Sequence, residues 1–446
     1  MAETKYTQMK DSGVEWIGDI PEEWSVKKLK YVAQLFTGNS ISDEDKNLYE
    51  EKKKTKKQYP YISTKDISVE NKSVNYDNGM YIDVSTKGFK IAQSEAMLLC
   101  IEGGSAGKKM AKIDRNVCFV NKLCAIFSAG EITNSWLYYY IQSDSFNKEF
   151  RMHLSGMIGG VSLFELKNFS IVVPTIKEQN VITSYLDKKT NDLDKIVFDA
   201  KKSVDILKKQ KNNLISEIVT KGLNKDVDWA DSKIGWIGEM PSHWEIRKIR
   251  YLGTLQNGIS KDGASFGSGY PFVNYGDVYN NLVLPNKVSG LVESTKAERK
   301  FFSVEKGDIF FTRTSETAEE IGLTSTCYQK IEDATFAGFL IRFRPNPGIL
   351  EPSFSKYYFS SDILRRFFVK EMMIVTRASL GQNLLKNLNV VLPPISEQYE
   401  IANYLDEKVG EINGIIFKLE QIISLAEQTK QSLIYEYVTG KKRVQV

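Results

Sequence analysis

The chain has 446 residues, a formal net charge of +4 at pH 7, and hydrophobic and charged fractions of 42% and 26%. This composition is ordinary for a soluble globular protein, and the length predicts more than one core. No apolar run approaches the roughly 20 residues that span a bilayer, and the first residues lack the apolar stretch of a signal peptide. The four cysteines lack CxxC spacing, which argues against a disulfide frame or a zinc site. We therefore expect buried thiols in a cytoplasmic protein with no membrane partner.

A long motif near the start of the chain occurs again in the second half. Residues 14–31 read VEWIGDIPEEWSVKKLKY, and residues 234–251 read IGWIGEMPSHWEIRKIRY. Later segments repeat in the same order: LKNFSIVVP returns as LKNLNVVLP, and KEQNVITSYLD returns as SEQYEIANYLD. A period of about 220 residues is far longer than the ~20–50 residues of a solenoid unit. The pattern therefore indicates duplication of a whole domain.

The first part of each copy, residues 1–174 and 223–393, is predicted to be an α+β globule. In the first copy, AMLLCI and VCFVNKLCAIF have the apolar, β-branched and aromatic composition of strands, and SWLYYYIQSDSFNKEF has the pattern of an amphipathic helix. In the second copy, GDIFFT and FLIRFRP are the corresponding strands, and FSKYYFSSDILRRFF is the corresponding helix. The ends of the two copies match while their middles differ, which suggests one scaffold with two separately adapted surfaces.

The second part of each copy, residues 175–222 and 394–446, is predicted to be one long helix. Apolar residues recur every seven positions, in the same phase in both copies, as in the seam of a coiled coil. The predicted seam consists of Leu186, Leu193, Ala200, Leu207, Leu214, Leu405, Ile412, Leu419, Ala426 and Leu433. Apolar companions three or four positions later include Ile196, Val197, Val204, Ile218, Val409, Ile415, Ile416, Ile422 and Ile423. We expect the two helices to pair as an antiparallel coiled coil with an internal pseudo-twofold; the alternative is that each helix packs on its own globule.

No residue pattern indicates a catalytic centre or a metal site. The two histidines, His153 and His243, have dissimilar surroundings, and HExxH, GxSxG and paired CxxC motifs do not occur. The segment GGSAGKK at residues 103–109 resembles a phosphate-binding loop only in part. Three residues instead of four separate Gly103 from the Gly-Lys pair, and Lys109 replaces Ser or Thr. We therefore expect no catalytic residue, no bound metal and no cofactor in this chain.

Small polar loops with basic residues follow several predicted strands, and these loops are candidates for DNA contact. Glycine allows close backbone approach, and backbone N–H groups with Lys or Arg can hold phosphates or guanine edges. The candidates are Lys53, Lys54, Lys56, Lys57, Thr64, Lys65, Gly104, Ser105, Lys108, Lys109, Asn274, Tyr275, Arg313, Thr314, Ser315, Arg377 and Gln382. The alternative for each loop is an ordinary surface turn, and for the lysine run at 51–57 a solvated loop.

Taken together, the duplicated motifs resemble the specificity subunit of a type I restriction–modification enzyme. The resemblance depends on WIGxxPxxW, on the run from LKN through VVLPPISEQ to IANYLD, and on the heptad helix, each present twice. The second copy has the full entry to the helix, with Pro393, Pro394, Glu397 and Gln398, whereas the first copy has Thr175 in place of the second proline. The match extends over nearly the whole chain.

The resemblance implies a function that the spacing of residues alone does not show. Each globule would be a target recognition domain for one half of a split site in double-stranded DNA, and the helices would fix the gap between the halves. Two modification subunits would dock, in our expectation on the helices and the Trp-Ile-Gly segments, and would methylate adenine N6 from S-adenosylmethionine. Restriction subunits, two at most, would add chemistry that depends on ATP and Mg. The chain itself would be non-catalytic.

Two other functions are compatible with parts of the pattern. A coiled-coil scaffold or adaptor that binds proteins through its globules would explain the helices and the repeat, but not the divergence of the loops between matching ends. A standalone restriction or modification enzyme would need catalytic and cofactor motifs that the sequence lacks, and the two copies leave little unassigned chain to hold them.

Overall fold

The computed structural model describes residues 3–42, 58–83, 85–155, 159–313, 321–372 and 380–444. The chain divides into two compact units: unit 1 is Met1–Ala200 with Gln421–Val446, and unit 2 is Lys201–Glu420. The predicted segments, 1–174, 175–222, 223–393 and 394–446, instead separated the globules from the helices. The division differs because each long helix contributes one half to each unit, where it packs with the other helix and with the globule.

Unit 1 holds the following elements, labelled in chain order. The strands are β1 (Glu3–Thr4), β2 (Met9–Asp11), β3 (Asp19–Pro21), β4 (Ser25–Lys28), β5 (Ala33–Thr37), β6 (Gln58–Ile62), β7 (Tyr81–Asp83), β8 (Ile91–Ala92), β9 (Met97–Cys100), β10 (Met110–Lys112), β11 (Val117–Phe119), β12 (Leu123–Ser128), β13 (Ser170–Val173) and β25 (Arg443–Val444). The helices are α1 (Leu29–Val32), α2 (Asn134–Gln142), α3 (Asp144–Met152), α4 (Leu163–Lys167) and the first half of α5 (Ile176–Lys221).

Two four-stranded sheets form the centre of unit 1. Their strand orders are β10-β9-β12-β5 and β7-β6-β11-β8. The strand β9 is buried at all four positions and β12 at its first four, which explains their continuous apolar sequences. The main core contains Trp24 and Trp136 and extends to Leu186 on α5 and to Ile434 and Tyr437 on the last helix. The globule and the helix halves of unit 1 therefore share one core.

Unit 2 repeats this plan. Its strands are β14 (Trp229–Asp231), β15 (Glu239–Pro241), β16 (Glu245–Lys248), β17 (Gly253–Asn257), β18 (Phe266–Val273), β19 (Leu291–Val292), β20 (Ile309–Thr312), β21 (Thr324–Thr326), β22 (Thr335–Phe336), β23 (Leu340–Pro345) and β24 (Asn389–Leu392). Its helices are the second half of α5, α6 (Tyr275–Tyr279), α7 (Lys296–Phe301), α8 (Pro352–Ser360), α9 (Asp362–Met372), α10 (Gln382–Asn387) and the first half of α11 (Ile395–Val438).

The central sheet of unit 2 has the order β17-β23-β20-β21, which matches β5-β12-β9-β10 of unit 1. The pairing register gives the equivalent positions. Cys124 pairs with Thr37 at the end of β5, and Ile341 pairs with Asn257 at the end of β17. Thr37 and Asn257 therefore occupy the same place in the two units. The α+β fold and the duplication predicted from the sequence are confirmed.

In each unit, one glycine lets two strands approach each other very closely. A side chain at Gly38 would place its Cβ 1.9 Å from Phe119 O, and one at Gly258 would place it 2.1 Å from Ala337 O. No side chain fits at these distances. Each glycine directly follows the last residue of β5 or β17. The two glycines therefore fix where those strands end.

Each of the two predicted amphipathic helices is in fact a pair of helices. The breaks fall at Ser143, between α2 and α3, and at Ser361, between α8 and α9. Both serines are extended, with ψ values of 154° and 151°. The Ser143 hydroxyl accepts a hydrogen bond from Phe146 N, so the serine caps the second helix of its pair. Helical periodicity alone does not reveal a break of one residue.

The repeated tryptophan of the WIGxxPxxW motif attaches each globule to the start of a long helix. Trp24 Nε1 donates to Glu178 Oε2 at 3.1 Å, and Trp244 Nε1 donates to Glu397 Oε2 at 2.9 Å. Both indole rings are buried, with exposures of 0% and 3%. The repeated motif is therefore explained by the attachment of the globule to its helix.

The glutamine that follows each of these glutamates completes the attachment. Gln179 Nε2 donates to Pro174 O at 2.9 Å, and Gln398 Nε2 donates to Pro393 O at the same distance. Both glutamines are buried, and their hydrogen bonds compensate for the loss of contact with water. The Glu-Gln pair of the motif therefore has a structural role in both units.

The two long helices pair antiparallel within each unit. In unit 1 the rings of Tyr185 and Tyr437 lie 4.8 Å apart, and Lys430 Nζ lies 2.6 Å from Asp194 Oδ1. Residue numbers therefore rise along one helix as they fall along the other. In unit 2, Lys211 Nζ donates to an oxygen of α11, Asn413 Oδ1, at 2.9 Å. The predicted antiparallel pairing is confirmed.

The structure places the ten predicted seam residues at buried or partly buried positions. Leu186, Ala200, Leu405 and Ala426 are buried, and Leu193, Leu207, Leu214, Ile412, Leu419 and Leu433 are partly buried. The companions that lie four residues after a seam residue are also buried or partly buried. Val204 and Ile416, for example, have exposures of 6% and 7%. The companions that lie three residues after a seam residue are exposed. These are Ile196, Ile415 and Ile422, with exposures of 46%, 49% and 44%.

Candidate functional site

Four chain segments meet at an open cleft in unit 1. The cleft has a volume of about 670 Å³. Its lining residues are Thr37, Ile101, Glu102, Asn121, Ser155, Gly159, Gly160, Val161, Ser162 and Leu163. These residues come from the end of β5, the loop after β9, the turn before β12 and the start of α4. The cleft therefore collects the loops in which the two copies of the sequence differ.

Backbone hydrogen bonds hold the cleft together. Ile101 N donates to Lys122 O at 3.0 Å, Val161 N donates to Ile101 O at 2.9 Å, and Gly103 N donates to Gly159 O at 2.9 Å. Because these bonds use main-chain atoms, they do not depend on which side chains the loops carry.

Unit 2 has the same backbone arrangement with other side chains. Arg313 N donates to Phe339 O at 2.9 Å, and Leu380 N donates to Arg313 O at 2.8 Å, so Arg313 occupies the position of Ile101. The Gln382 amide donates from Nε2 to Asn257 Oδ1 at 3.0 Å. Arg313 and Gln382, which the sequence analysis selected independently, therefore belong to one cluster, at the position of the cleft in unit 1.

Asn257 is a member of this cluster that the sequence analysis missed. It ends β17 and is partly buried, as Thr37 is at the end of β5. The available signal was the pair Asn257-Gly258, which matches Thr37-Gly38 in the first copy. A guanidinium group and two side-chain amides are the groups that form paired hydrogen bonds with guanine and adenine in the major groove.

Two of the predicted loops in unit 1 contact each other. Lys109 Nζ donates to Thr64 O at 2.7 Å. Lys108 Nζ donates to Gly104 O at 3.4 Å, within a turn closed by a bond from Lys108 N to Ser105 O at 3.0 Å. The Lys65 side chain is exposed, and those of Lys109 and Thr64 are partly buried. The contact brings three lysines to one area of the surface.

In unit 2, the segment that corresponds to residues 63–66 forms the N-terminal cap of α6. Asn274 precedes α6 and forms a capping box with Asp277, whose Oδ2 accepts a bond from Asn274 N at 2.8 Å. Ser63 and Asp66 form the same box in unit 1. The Tyr275 ring stacks on the Tyr279 ring, with 5.8 Å between the ring centres. The structure therefore gives Asn274 a structural role, and DNA contact by Asn274 and Tyr275 stays a prediction.

Seven predicted DNA contacts lie outside the described residues. They are Lys53, Lys54, Lys56, Lys57, Thr314, Ser315 and Arg377.

The four cysteines are buried, and both histidines have hydrogen-bond partners. Burial raises the pKa of Cys118 to about 11 and those of Cys124 and Cys327 to about 12, so these thiols are protonated at neutral pH. His153 Nδ1 lies 2.9 Å from a backbone oxygen, and His243 Nε2 lies 2.7 Å from Glu397 Oε1. Within the described ranges, no group of three His, Cys, Asp or Glu side chains could hold a metal ion. None of the helices in those ranges is both long enough and apolar enough to cross a membrane.

The long helices carry a second candidate surface, a set of large apolar side chains exposed outside the seam. On α5 these are Ile196, Phe198 and Ile206, with exposures of 46%, 66% and 47%. Each has an exposed apolar equivalent 219 positions later on α11; these are Ile415, Phe417 and Leu425, with exposures of 49%, 60% and 65%. Large apolar side chains that are exposed at equivalent positions of both helices are candidates for contact with a partner protein.

Comparison with known proteins gives one consistent family. The profile described as "Type I restriction modification DNA specificity domain" matches residues 21–200 and again residues 241–422. The chain is 22% identical over 449 residues to the type I restriction enzyme EcoKI specificity subunit of Escherichia coli (strain K12), covering 96% of this chain and 91% of that protein. It is 20% identical over 442 residues to the MjaVIII specificity subunit of Methanocaldococcus jannaschii, covering 95% and 94%.

Solved structures show the same fold. A chain from a study of complex assembly and conformational transition of the type I R-M system superposes with a TM-score of 0.71 at 14% identity, covering 94% of this chain and 98% of that chain. The HsdS subunit from Thermoanaerobacter tengcongensis gives a TM-score of 0.50 at 14% identity, with coverage of 94% and 98%. At this level of identity the likeness concerns the fold alone.

Proposed function

The chain belongs to the family of type I restriction–modification DNA specificity domains, and we propose that each of its units reads one half of a split site in double-stranded DNA. The family domain occurs twice, at residues 21–200 and 241–422. The chain is a specificity subunit, so it contributes sequence recognition to a type I complex and no catalytic group.

One observation carries this proposal: equivalent backbone positions in the two units hold chemically different side chains. Unit 1 has Thr37 and Ile101 where unit 2 has Asn257 and Arg313. Gln382, on the first residue of α10, donates to Asn257. Arginine pairs with guanine O6 and N7, and Asn or Gln with adenine N6 and N7. We expect the cluster of unit 2 to read guanine and adenine, and the cleft of unit 1 to read other bases.

The proposed partners are two modification subunits, bound at the exposed apolar residues of α5 and α11. An equivalent set occurs on each helix, which favours two identical partners and therefore two docking sites. The alternative docking place, the Trp-Ile-Gly segments, has less free apolar surface, because Ile17 and Ile237 are buried and Trp16 and Trp236 are partly buried. We therefore assign docking to the helices.

We further propose that the modification subunits transfer a methyl group from S-adenosylmethionine to adenine N6. Restriction subunits, two at most, would supply the steps that depend on ATP and Mg. The described residues of this chain offer no metal cluster, so these cofactors would be held by the partners. The complex would act in the cytoplasm, where DNA and these cofactors are available.

The experiment is co-expression of this chain with a modification subunit in a host that lacks adenine methylation, followed by mapping of N6-methyladenine. The expected result is a split motif, two short specific sequences around a fixed unspecified gap. Arg313→Ala should then relax or change one half only, and the matched control Arg366→Ala, an exposed arginine of unit 2, should leave both halves unchanged. A bound, active modification subunit that methylates without any motif would refute sequence reading by this chain.

A further inference from the structure

The segment KKLKY of unit 1 returns in unit 2 as RKIRY. Its exposed positions keep a positive charge or a tyrosine ring in both units, although they are not part of either core. Lys27, Lys28, Lys30 and Tyr31 correspond to Arg247, Lys248, Arg250 and Tyr251. We call residues 27–31 and 247–251 the basic segments. Each has one residue in the core, Leu29 or Ile249, both with 0% exposure.

The two tyrosines that end the basic segments are largely exposed, and each lies beside a cation of its own segment: Lys30 Nζ is 5.2 Å from the centre of the Tyr31 ring, and Arg250 Cζ is 5.9 Å from that of Tyr251. Tyr31 is 66% exposed and Tyr251 is 67% exposed, although tyrosine rings usually bury much of their area. Folding accounts for the core residue between the charges, but it does not require a tyrosine at a solvent-facing position in both units. A ligand common to both units would require it.

The charges of the basic segments are kept while the residue type varies. Lysine at 27 and 30 becomes arginine at 247 and 250. Lys27 forms an ion pair with Glu131, and Arg247 with Glu245 at 2.6 Å. A Lys-to-Arg exchange is tolerated where only a positive charge is needed, and is not conservative at a site that needs one fixed geometry.

The remaining cations of the basic segments form no direct ion pair among the residues that the structure describes. Lys28 Nζ donates to Ser170 Oγ at 3.0 Å and Lys30 Nζ to Asn168 Oδ1 at 2.8 Å. Arg250 Nε donates to a backbone oxygen at 3.1 Å. Lys28 also interacts with the charge of the nearby Glu149 carboxylate. The charges of Lys30, Lys248 and Arg250 have no ion pair in the described part of their units, and they favour a ligand with repeated negative charge.

Each basic segment lies one short helix away from the candidate base-reading residues. In unit 1, α4 begins at the cleft with Leu163 and ends beside Asn168. The Asn168 side chain accepts the hydrogen bond from Lys30. In unit 2, α10 begins with Gln382 and ends beside Arg250, which donates to Lys386 O. A helix of five or six residues spans about 8 Å. DNA whose base edges lie at the cluster would present its backbone to the basic segment.

We infer that Lys28, Lys30 and Tyr31, and their equivalents Lys248, Arg250 and Tyr251, are matched contacts to the phosphates of duplex DNA. Both units use them independently of the base sequence. Lys and Arg with Tyr hydroxyls are usual partners of phosphate oxygens, whereas Lys is depleted in protein–protein interfaces. This inference rests on the proposed function, and it separates the groups that position the DNA from the groups that read it.

The test uses the full chain in complex with its modification subunit. The paired variants Lys28→Gln with Lys30→Gln, and Lys248→Gln with Arg250→Gln, are compared with a control of equal charge change, Lys296→Gln with Lys300→Gln, at exposed lysines of α7. DNA affinity is measured from 0.05 to 0.5 M salt on duplexes with and without the methylated motif.

Each phosphate contact contributes about 0.9 to the slope of log affinity against log salt, so each paired variant should lower the slope by about 1.8. At 0.1 M salt this corresponds to a loss of DNA affinity of about eightfold per contact. The loss should be equal on both duplexes and equal for the two units, the methylation motif should stay unchanged, and the control should match the parent.

The outcomes separate the inference from the proposed function. If the parent complex shows a split motif but the paired variants keep its slope, the phosphate contacts are refuted and sequence reading stands. If the variants lose the modification subunit instead of DNA, the basic segments are a protein-docking surface and the inference is wrong. If the parent shows no motif, the proposed function itself fails.

Discussion

The change Gly258→Ala should disable one half of the recognition site while leaving the other intact. The new Cβ would lie 2.1 Å from Ala337 O and 2.3 Å from Phe336 O, where van der Waals contact needs more than 3 Å. Both obstacles are backbone atoms, so rotamer changes cannot relieve the clash. The strand end that carries Asn257 must therefore move by about 1 Å, and Asn257 is the acceptor of the Gln382 amide.

The expected cost follows from the contacts that this movement breaks. Ile259 N donates to Phe336 O at 2.8 Å, and Gly338 N donates to Ile259 O at 2.9 Å. Losing two hydrogen bonds costs about 2 kcal/mol, and overpacking a tight site costs about 1–3 kcal/mol. We expect the free energy of unfolding of unit 2 to fall by about 3–5 kcal/mol, a large fraction of the stability of a typical domain.

The assay combines denaturant unfolding of the purified chain with methylation mapping of the co-expressed complex. Gly258→Ala should destabilise unit 2 and remove the preference for one half-site. The matched control is Gly263→Ala, because a Cβ there would meet nothing within 4 Å and the backbone is not left-handed. If Gly258→Ala changes the free energy of unfolding by less than about 0.5 kcal/mol, the range of ordinary surface substitutions, and leaves the motif unchanged, the argument for this strand approach is wrong.

Three further changes test separate parts of the structure. Glu95 has a left-handed φ of +75° at the position where unit 2 has Gly307, so Glu95→Gly should stabilise unit 1 by about 1 kcal/mol in thermal unfolding, and Gly307→Glu should destabilise unit 2. Burial, with Lys430 nearby, lowers the pKa of Lys72 to about 8 from 10.5, so protonated Lys72 costs up to about 3 kcal/mol. Relative to Lys72→Met, the parent should therefore gain stability between pH 8 and 10.5, where the unfolded state binds the proton that the folded state has lost, and the variant should be the more stable of the two at pH 7. The comparison removes the fall in stability above pH 9 that both proteins share through their buried cysteine thiols, whose pKa is raised. Phe417→Ser should weaken the binding of one of the two modification subunits that we propose, by about 2 kcal/mol in native mass spectrometry titrations, whereas the neighbouring control Lys418→Ser should not.

The sequence predicted the parts of the fold that depend on periodicity and repetition. The seven-residue spacing from Leu186 to Leu214 predicted α5 and its pairing with α11, and apolar runs such as AMLLCI predicted the buried strands. The sequence did not predict that helical residues three positions after the seam are exposed. Companions three and four positions away are equally apolar in the sequence, and only the tilt of one helix on the other decides which of them is covered.

The candidate site was less accessible from sequence, because it depends on which loops meet. Arg313 and Gln382 were selected separately, as residues near strand and motif ends, and only the tertiary structure shows that they share one cluster with Asn257. Asn274 shows the opposite limit. Its polar side chain at the end of a strand predicted a ligand contact, yet the Asn-x-x-Asp pattern with Asp277 is also the signature of a helix cap, and the structure shows the cap.

The duplication separates two kinds of residue that a single domain would leave mixed. Positions with the same chemistry in both units hold the strand ends in place or attach the globule to its helix, as Gly38 and Gly258 do at the strands and Glu178 and Glu397 at the tryptophans. Positions with different chemistry lie at the strand ends themselves. Substitution there would change the groups that face a base in the proposed function, and it would leave the backbone bonds of the site intact, since those bonds use no side-chain atom. One half-site can therefore change without loss of the other half, of the helix pair, or of the apolar surfaces on the helices.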